Sequence, residues 1–407
     1  MRYQRLLVLI VIGWYLILAV GHYFNQRPLW NDEQCVLNSI TQLKPASLFT
    51  QPLLSDQAFP RLYLWVIQQF SNPFNQNLLS LRLFSLLAMI GAFFVWFSIA
   101  RRILSYPWDL ILFIGSWCAS MPLVYYAAEL KPYSMDVLAS GLIVLFLLDH
   151  NQRQQNLQVN RIILLLLPLL GLWSYPALFL LLLPLYNLSC EGINERRWLP
   201  ELTFYLASYV LVLLLVYLFD FRVSVHHLME EFWHDYFISL DSFKHFFDSL
   251  GKGMNNLISR RFAENPRWVK VPSRVFIGLG TGYMLAAFWG QFRKDRFLLR
   301  SVVPMTFAMF LIQLVLAIFR AYPFAVPRMS LFFTPLLILM TIKGIDFICQ
   351  QVKVLGVALR IIFAGYLVFV AFGIAWDVFI KKDLGAEAAL YSSRSIVFSL
   401  PIHNSTY

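Results

Sequence analysis

Apolar runs of about the length needed to cross a bilayer recur along the whole chain, and this pattern constrains the fold more than any other feature. A transmembrane helix needs about 20 mostly apolar residues to cross a hydrocarbon core of about 30 Å. Hydrophobic residues make up 59% of the 407 residues and charged residues only 14%, whereas soluble domains are about 25% charged. A transmembrane barrel would need alternating segments of about ten residues, which the sequence does not show. The sequence therefore predicts an all-α, polytopic membrane protein.

The apolar runs predict about eleven spans, each uncertain by a few residues at its ends. They are residues 6–24, 79–99, 109–127, 133–149, 161–174, 176–189, 200–219, 273–291, 300–319, 328–345 and 356–376. The fifth and sixth are short, and Trp173-Ser174-Tyr175-Pro176 either separates two spans or kinks one long span. If 161–189 is a single span, the downstream topology inverts.

Basic residues indicate the orientation, because short cytoplasmic loops are enriched in Lys and Arg. With a cytoplasmic N-terminus, the predicted inner segments hold Arg2, Arg5, Arg101, Arg102, Arg153, Arg161, Arg196, Arg197, Arg293, Lys294, Arg296, Arg300, Lys343, Lys353 and Arg360. This bias accounts for much of the net charge of +11, and the anionic cytoplasmic leaflet is its ordinary counterpart. The charge therefore requires no nucleic-acid partner. We expect a multi-pass protein of the plasma (inner) membrane, anchored by an uncleaved first helix.

Two long hydrophilic segments are then placed outside. The first, about 25–78, is amphipathic around Phe59 and Trp65, which favours short helices lying in the interface. The second, about 220–272, is best explained by an amphipathic helix on the outer membrane face. A less favoured alternative is a zinc site, since His227, Glu231 and His234 could share one helix face. We place the main transmembrane domain at 1–345, and the last span with a short outer tail at 346–407.

Ionisable and hydroxyl-bearing side chains gather at the predicted outer ends of the spans. Charges at membrane depth are costly unless they are paired or functional, although each one alone is more often an interface anchor. Acids at one outer edge and cations at others suit a substrate that has a phosphate and a lipid tail. The residues are Asp32 and Glu33 after the first span, Arg82 early in the second, Glu129, Lys131, Tyr133 and Asp136 between the third and fourth, and Tyr322 and Arg328 between the ninth and tenth.

Short motifs in this order resemble the C-type integral-membrane glycosyltransferases, the class of protein O-mannosyltransferases and bacterial aminoarabinose and lipopolysaccharide sugar transferases. The resemblance covers about residues 1–345 and departs from the family's frequent His-Pro-Pro form, since Ala58-Phe59 precedes Pro60. The motifs are Asp32-Glu33, Asp56-Gln57-Ala58-Phe59-Pro60-Arg61-Leu62-Tyr63, Leu81-Arg82-Leu83-Phe84-Ser85, Glu129-Leu130-Lys131-Pro132-Tyr133-Ser134, and Tyr322-Pro323 followed by Arg328 and Pro335.

The resemblance implies an inverting transfer of sugar from a polyprenyl-phosphate donor to an envelope lipid, glycan or protein on the extracytoplasmic face. Asp32 would be the base that deprotonates the acceptor hydroxyl, and Glu33 would orient the acceptor. The donor and its phosphate would be bound by Lys131, Tyr133, Arg328, Tyr322, Glu129 and Arg82. The resemblance implies no definite cofactor. A divalent metal is an alternative with Asp32 and Glu33 as its candidate ligands, although one adjacent pair of acids supplies few ligands for a hard cation.

The competing class is a transporter or flippase for a lipid-linked anionic substrate, which would also need many spans and charges in the membrane. Transporters commonly have internal repeats and bind their substrates near the bilayer midplane. No repeat is visible in this sequence, and the charges gather at one face, so an enzyme is the favoured interpretation.

Overall fold

The computed structural model describes residues 2–150, 157–195, 200–224, 233–259, 261–262, 267–292, 301–324, 326 and 328–382, and these residues form helices and connecting segments without a β-strand. The helices are α1 (Arg2–Phe24), α2 (Asn31–Gln42), α3 (Ser47–Thr50), α4 (Arg61–Ser71), α5 (Leu78–Ile103), α6 (Pro107–Cys118), α7 (Met121–Tyr125), α8 (Tyr133–His150), α9 (Leu157–Leu166), α10 (Tyr175–Leu180), α11 (Leu182–Glu195), α12 (Pro200–Val216), α13 (Phe243–Ser259), α14 (Arg267–Phe292), α15 (Val302–Ile318), α16 (Thr334–Gln351) and α17 (Lys353–Trp376). The predicted all-α membrane fold is confirmed.

Each predicted span coincides with a helix or with two consecutive helices. Within the described residues, seven helices are long and apolar enough to cross a membrane, or eight if the bent pair α6–α7 is one span. The bend of 64° in that pair lies close to Pro122, which lacks the N–H needed to continue a helix. The 161–189 region is divided: a 3₁₀ turn ends at Leu172, and a new apolar helix begins at Tyr175.

Glycine allows two pairs of spans to approach each other closely. A Cβ at Gly141 of α8 would lie 2.8 Å from Trp96 Nε1 of α5, whose indole N–H donates to the Val137 carbonyl. A Cβ at Gly280 of α14 would lie 2.5 Å from the Thr341 backbone of α16. Small residues at helix contacts are a common way to pack transmembrane helices. Helix α16 is central in the bundle, because 83% of its most apolar stretch is buried. The buried share of the corresponding stretch is only 28% in α1 and in α17.

The first outer segment folds into short helices, as its amphipathic sequence predicts. Their apolar faces form a small core of their own on the outer end of α5. This core includes Val36 and Ile40 of α2, Leu48 of α3, Phe59 just before α4, Tyr63, Leu64 and Ile67 of α4, and Leu81 of α5. Burial of these side chains fixes α2, and therefore the acid pair at its start, over the membrane bundle.

The second outer segment contains the predicted amphipathic helix, α13. Phe246, Leu250 and Met254 on one face of α13 pack against the main core, while Phe243 and Phe247 are exposed. His227 and Glu231 of the alternative zinc site lie outside the described residues. His234 is described, and its side chain is mostly exposed.

Candidate active site

The sequence around Trp30 starts helix α2 and places both acids in its first turn. Trp30 has extended backbone angles, and its N–H donates to the Glu33 carboxylate at 3.4 Å, as in a capping box. Acids in the first turn are also favoured by the positive end of the helix dipole. Asp32 and Glu33 are therefore held by local structure as well as by the core beneath α2.

Asp32 lies between two cations that are distant in the sequence. Its Oδ1 is 2.9 Å from Lys131 Nζ, and its Oδ2 accepts a hydrogen bond of 2.9 Å from Arg328 Nη1. The Asp32 side chain keeps 18% of its surface exposed, while the two cations keep 5% each. Burial alone would raise the pKa of Asp32, but Lys131 and Arg328 hold it below its ordinary value. Asp32 is therefore ionised at neutral pH, and part of its side chain remains accessible.

Both cations are fixed by neighbours other than Asp32. Lys131 Nζ donates to Gln57 Oε1 at 2.8 Å and lies 5.8 Å from the centre of the Phe59 ring. Phe59, at the position where the sequence departs from the family form, thus helps to enclose the lysine. The Arg328 guanidinium lies over two indole rings, 5.6 Å from Trp30 and 5.1 Å from Trp233. Such cation–π contacts hold the planar group in one orientation.

Glu33 has a different environment from its neighbour, because none of its side chain is exposed. Arg82 donates from Nε and Nη2 to its two oxygens at 3.0 and 2.9 Å, and Arg27 Nη1 donates at 2.8 Å. The Leu130 N–H donates to the same carboxylate at 2.8 Å. The third nitrogen of Arg82 donates to the Arg27 carbonyl at 2.8 Å. Glu33 therefore joins α2, α5 and the segment before α8.

Glu129 is the third acid of the cluster and is also fully buried. Its Oε1 accepts the indole N–H of Trp30 at 3.0 Å, whereas its Oε2 has no hydrogen-bond partner among the described residues. Burial, together with the negative charge of Glu33, raises the pKa of Glu129 to about 7. Near neutral pH this carboxyl is therefore divided between its charged and neutral forms.

The two tyrosines named from the sequence lie at the edge of this cluster. Tyr133 begins α8, packs edge to face on Tyr126 at 5.0 Å, and interacts electrostatically with Arg328 and Asp32. Tyr322 donates its hydroxyl hydrogen to the Met329 carbonyl at 2.8 Å. Tyr322 therefore braces the chain on which Arg328 is carried.

The whole cluster has an excess of positive charge. Its basic side chains outnumber its acids by four to three, and partial protonation of Glu129 increases the excess. These side chains are Arg27, Arg82, Lys131 and Arg328 against Asp32, Glu33 and Glu129. An anion entering this largely buried site would be attracted by groups already in place, without reorganisation of solvent.

A divalent metal does not fit the acid pair in this arrangement. Both oxygens of Asp32 and both oxygens of Glu33 already face cationic donors. A metal ion would have to displace ammonium or guanidinium groups from them. Among the described residues, no group of three or more His, Cys, Asp or Glu side chains has the geometry to hold a metal ion.

The eight side chains assigned to the site from the family resemblance lie near helix ends or in the segments that connect helices. Six of them are linked by direct contacts or through Trp30. Three residues that the sequence did not assign to the site complete the surroundings of Glu33, Lys131 and Arg328: Arg27, Gln57 and Trp233. Gln57 stands inside a motif that was recognised, and Arg27 precedes the acid pair by only a few residues. Trp233 comes from the second outer segment, and the sequence carries no signal that joins it to Arg328.

Comparisons with known proteins reach only the level of the fold. No protein-family model matches the sequence, and neither does any curated protein. Two solved structures do match: ArnT from Cupriavidus metallidurans in the apo state, with a TM-score of 0.52 and 14% identity, and the same protein bound to undecaprenyl phosphate, with a TM-score of 0.51 and 15% identity. Each match covers 96% of this chain and 74% of the other. The chain therefore shares the fold of these ArnT structures, that of a polytopic membrane protein.

Proposed function

We propose that this protein is a membrane glycosyltransferase that moves a sugar from a polyprenyl-phosphate donor to an acceptor hydroxyl on the extracytoplasmic face. The observation that carries the proposal is the position of Asp32, ionised and partly exposed, between Lys131 and Arg328. A carboxylate suits proton abstraction, and two adjacent cations suit a phosphate leaving group. The matching ArnT structure is bound to undecaprenyl phosphate, a ligand with the same lipid and phosphate chemistry.

In the proposed reaction, the Asp32 carboxylate accepts the proton of the acceptor hydroxyl as its oxygen attacks the anomeric carbon. The bond from that carbon to the phosphate oxygen breaks on the opposite side, so the anomeric configuration inverts. Lys131 and Arg328 stabilise the charge that the departing lipid phosphate gains. Glu33 and Arg82 are now proposed to position α2, since their polar atoms are engaged with each other.

The two cations also give a reason why the base becomes active only when the donor is bound. In the structure they neutralise Asp32 and lower its pKa, which weakens it as a base. A donor phosphate that shares Lys131 and Arg328 would withdraw part of that stabilisation and raise the pKa of Asp32 towards its ordinary value. The acceptor would then be deprotonated only in the complex with donor.

Substitution of Arg328 tests the phosphate site. We expect Arg328→Ala to lower kcat/KM by about 10² to 10³, the usual loss when one donor to a developing anion is removed. Arg328→Lys should retain only part of the activity, because an ammonium group cannot replace a planar guanidinium held between two indoles. The measurements are transfer from a polyprenyl-phosphate sugar in proteoliposomes and binding of undecaprenyl phosphate.

A matched control is Arg102→Ala, which removes an exposed arginine that pairs with Asp149 at the other end of α5. This variant should bind undecaprenyl phosphate like the wild type. Unchanged binding in Arg328→Ala would identify Arg328 as an interface anchor and remove it from the proposed site.

The side of the membrane is tested by cysteine labelling on a background in which Cys35, Cys118, Cys190 and Cys349 are serine. Gln34 is exposed on α2 next to the acid pair, so Gln34→Cys should react with an impermeant thiol reagent from outside the cell. Arg102→Cys should react only after permeabilisation. The reverse pattern would place the site in the cytoplasm, where a donor on the outer leaflet could not reach it.

A further inference from the structure

A separate cavity of about 260 Å³ lies between the second outer segment and the chain that leads to Arg328. We call it the outer pocket; it is lined by Asp235, Tyr236, Lys252, Asn255, Asn256 and Phe324, among others. It shares no lining residue with the cluster around Asp32. The proposed sugar transfer therefore does not account for it.

Helix α13 presents a regular polar face to this pocket. Ser249, Lys252, Gly253 and Asn256 all line the cavity, and their spacing of three and four residues places them on one side of a helix. An adjoining side of α13 packs into the main core through Phe246, Leu250 and Met254. The polar face is thus fixed by the burial of the apolar one.

The polar groups of this face are available to a ligand. Lys252 and Asn255 are exposed and Asn256 is half-buried, and their side chains have no hydrogen bond to another residue in the described part of the chain. An ammonium and two amides supply both donors and acceptors. Tyr236 and Phe324 supply aromatic surface beside them. A sugar ring matches these groups, because its hydroxyls can hydrogen-bond with the polar side chains while its C–H face packs on the aromatic rings.

A chain of contacts joins the outer pocket to the proposed catalytic cluster. A Cβ at Gly253 would lie 2.1 Å from Phe324 Cδ1, so only glycine lets α13 lie this close to the ring. The Phe324 N–H donates to the Tyr236 carbonyl at 2.8 Å. The Tyr236 ring contacts Trp233 edge to face at 5.6 Å, and Trp233 lies 5.1 Å from the Arg328 guanidinium. One indole ring therefore separates the pocket from Arg328.

We propose that the outer pocket binds a sugar unit of a glycan acceptor, at least one unit away from the hydroxyl that reacts at Asp32. The Arg328 guanidinium and the Tyr236 ring lie 5.1 and 5.6 Å from the Trp233 ring. This separation is comparable with the length of one or two sugar units, so a pocket beyond Trp233 receives a neighbouring unit rather than the reacting one. This inference rests on the proposed function, and it narrows the acceptor to a saccharide of two or more units.

The test uses full-length protein in proteoliposomes, with radiolabelled lipid-linked sugars and a glycan fraction, both extracted from the membranes in which the protein naturally resides. We expect Lys252→Ala/Asn256→Ala to raise the KM for the glycan fraction about tenfold, with an unchanged KM for donor and unchanged donor hydrolysis in the absence of glycan. Lys244→Ala is the control, because Lys244 is an equally exposed lysine on α13 that does not line the pocket. Trimming the glycans to single sugars should remove the difference between variant and wild type.

The outcomes separate the two proposals. An unchanged acceptor KM in the double variant overturns the outer pocket as an acceptor site. An equal rise in the donor KM also overturns it, because the pocket would then lie on the path of the donor. Absence of both transfer and donor hydrolysis in the wild-type protein overturns the proposed function itself, and this inference with it.

Discussion

Asp32→Asn is expected to lower the rate of sugar transfer by about 10² to 10⁴, the usual contribution of a general base. Asparagine keeps the size of the side chain and one carbonyl oxygen, so the start of α2 should remain in place. Asp32 keeps 18% of its surface exposed, and the loss of its charge removes its competition with the donor phosphate for Lys131 and Arg328. Affinity for undecaprenyl phosphate should therefore be unchanged or higher than in the wild type.

A matched control is Asp109→Asn, a change at a buried acid that pairs with Arg360. It lies on α6, outside the cluster around Asp32, and should leave the rate per folded molecule close to that of the wild type. Turnover of Asp32→Asn within a few-fold of the wild type would show that another group accepts the proton. Glu129 would be examined next, since burial raises its pKa to about 7 and its Oε2 has no partner among the described residues.

The same variant separates an enzyme from a transporter or flippase. An enzyme that loses its base should still bind the donor and should form no glycosylated product. A flippase should move the lipid-linked substrate across the bilayer whether or not any product forms. Measurement of both product formation and lipid movement in one set of vesicles distinguishes these two classes.

The membrane class and most helices follow from the sequence, because burial in lipid imposes a strong and local requirement for long apolar runs. The break between α6 and α7 is less evident from composition, since 110–127 contains no charged residue and only Pro122 marks the interruption. Loop charges predict that Asp32, Lys131 and Arg328 share one side of the membrane, the outer one. Their mutual contacts are not predictable in this way, because residues 32, 131 and 328 come together only through packing of distant helices.

The roles of the two adjacent acids, Asp32 and Glu33, show most clearly what the sequence alone does not determine. Neighbouring residues on a helix with 3.6 residues per turn point about 100° apart. One of the pair must therefore face a different environment from the other. Which of the two acids stays partly exposed depends on how α2 packs on α4 and α5. That packing is set by the apolar core beneath these helices. The sequence assigns both acids to chemistry, whereas the geometry separates a partly exposed Asp32 from a buried Glu33.

Glu33→Gln is expected to lower the free energy of unfolding by about 3 to 5 kcal/mol, because removing one partner of a buried ion pair leaves uncompensated charge. Arg27 and Arg82 are both nearly buried and both donate to this carboxylate. The measurement is thermal unfolding in detergent. The control is Glu191→Gln, which changes a carboxylate that is 26% exposed and bonded to His150, and should cost less than about 1 kcal/mol.

A double-mutant cycle identifies the source of the loss. Because Glu33 and Arg82 neutralise each other through two hydrogen bonds, Glu33→Gln/Arg82→Gln should cost less than the sum of the two single substitutions. The result that contradicts a positioning role is a Glu33→Gln protein that melts like the wild type and yet transfers no sugar. Glu33 would then act on the acceptor directly, as the resemblance to the C-type transferases implies. A destabilised Glu33→Gln protein that keeps its transfer rate per folded molecule would instead show that Glu33 stabilises the fold and leave Asp32 as the base.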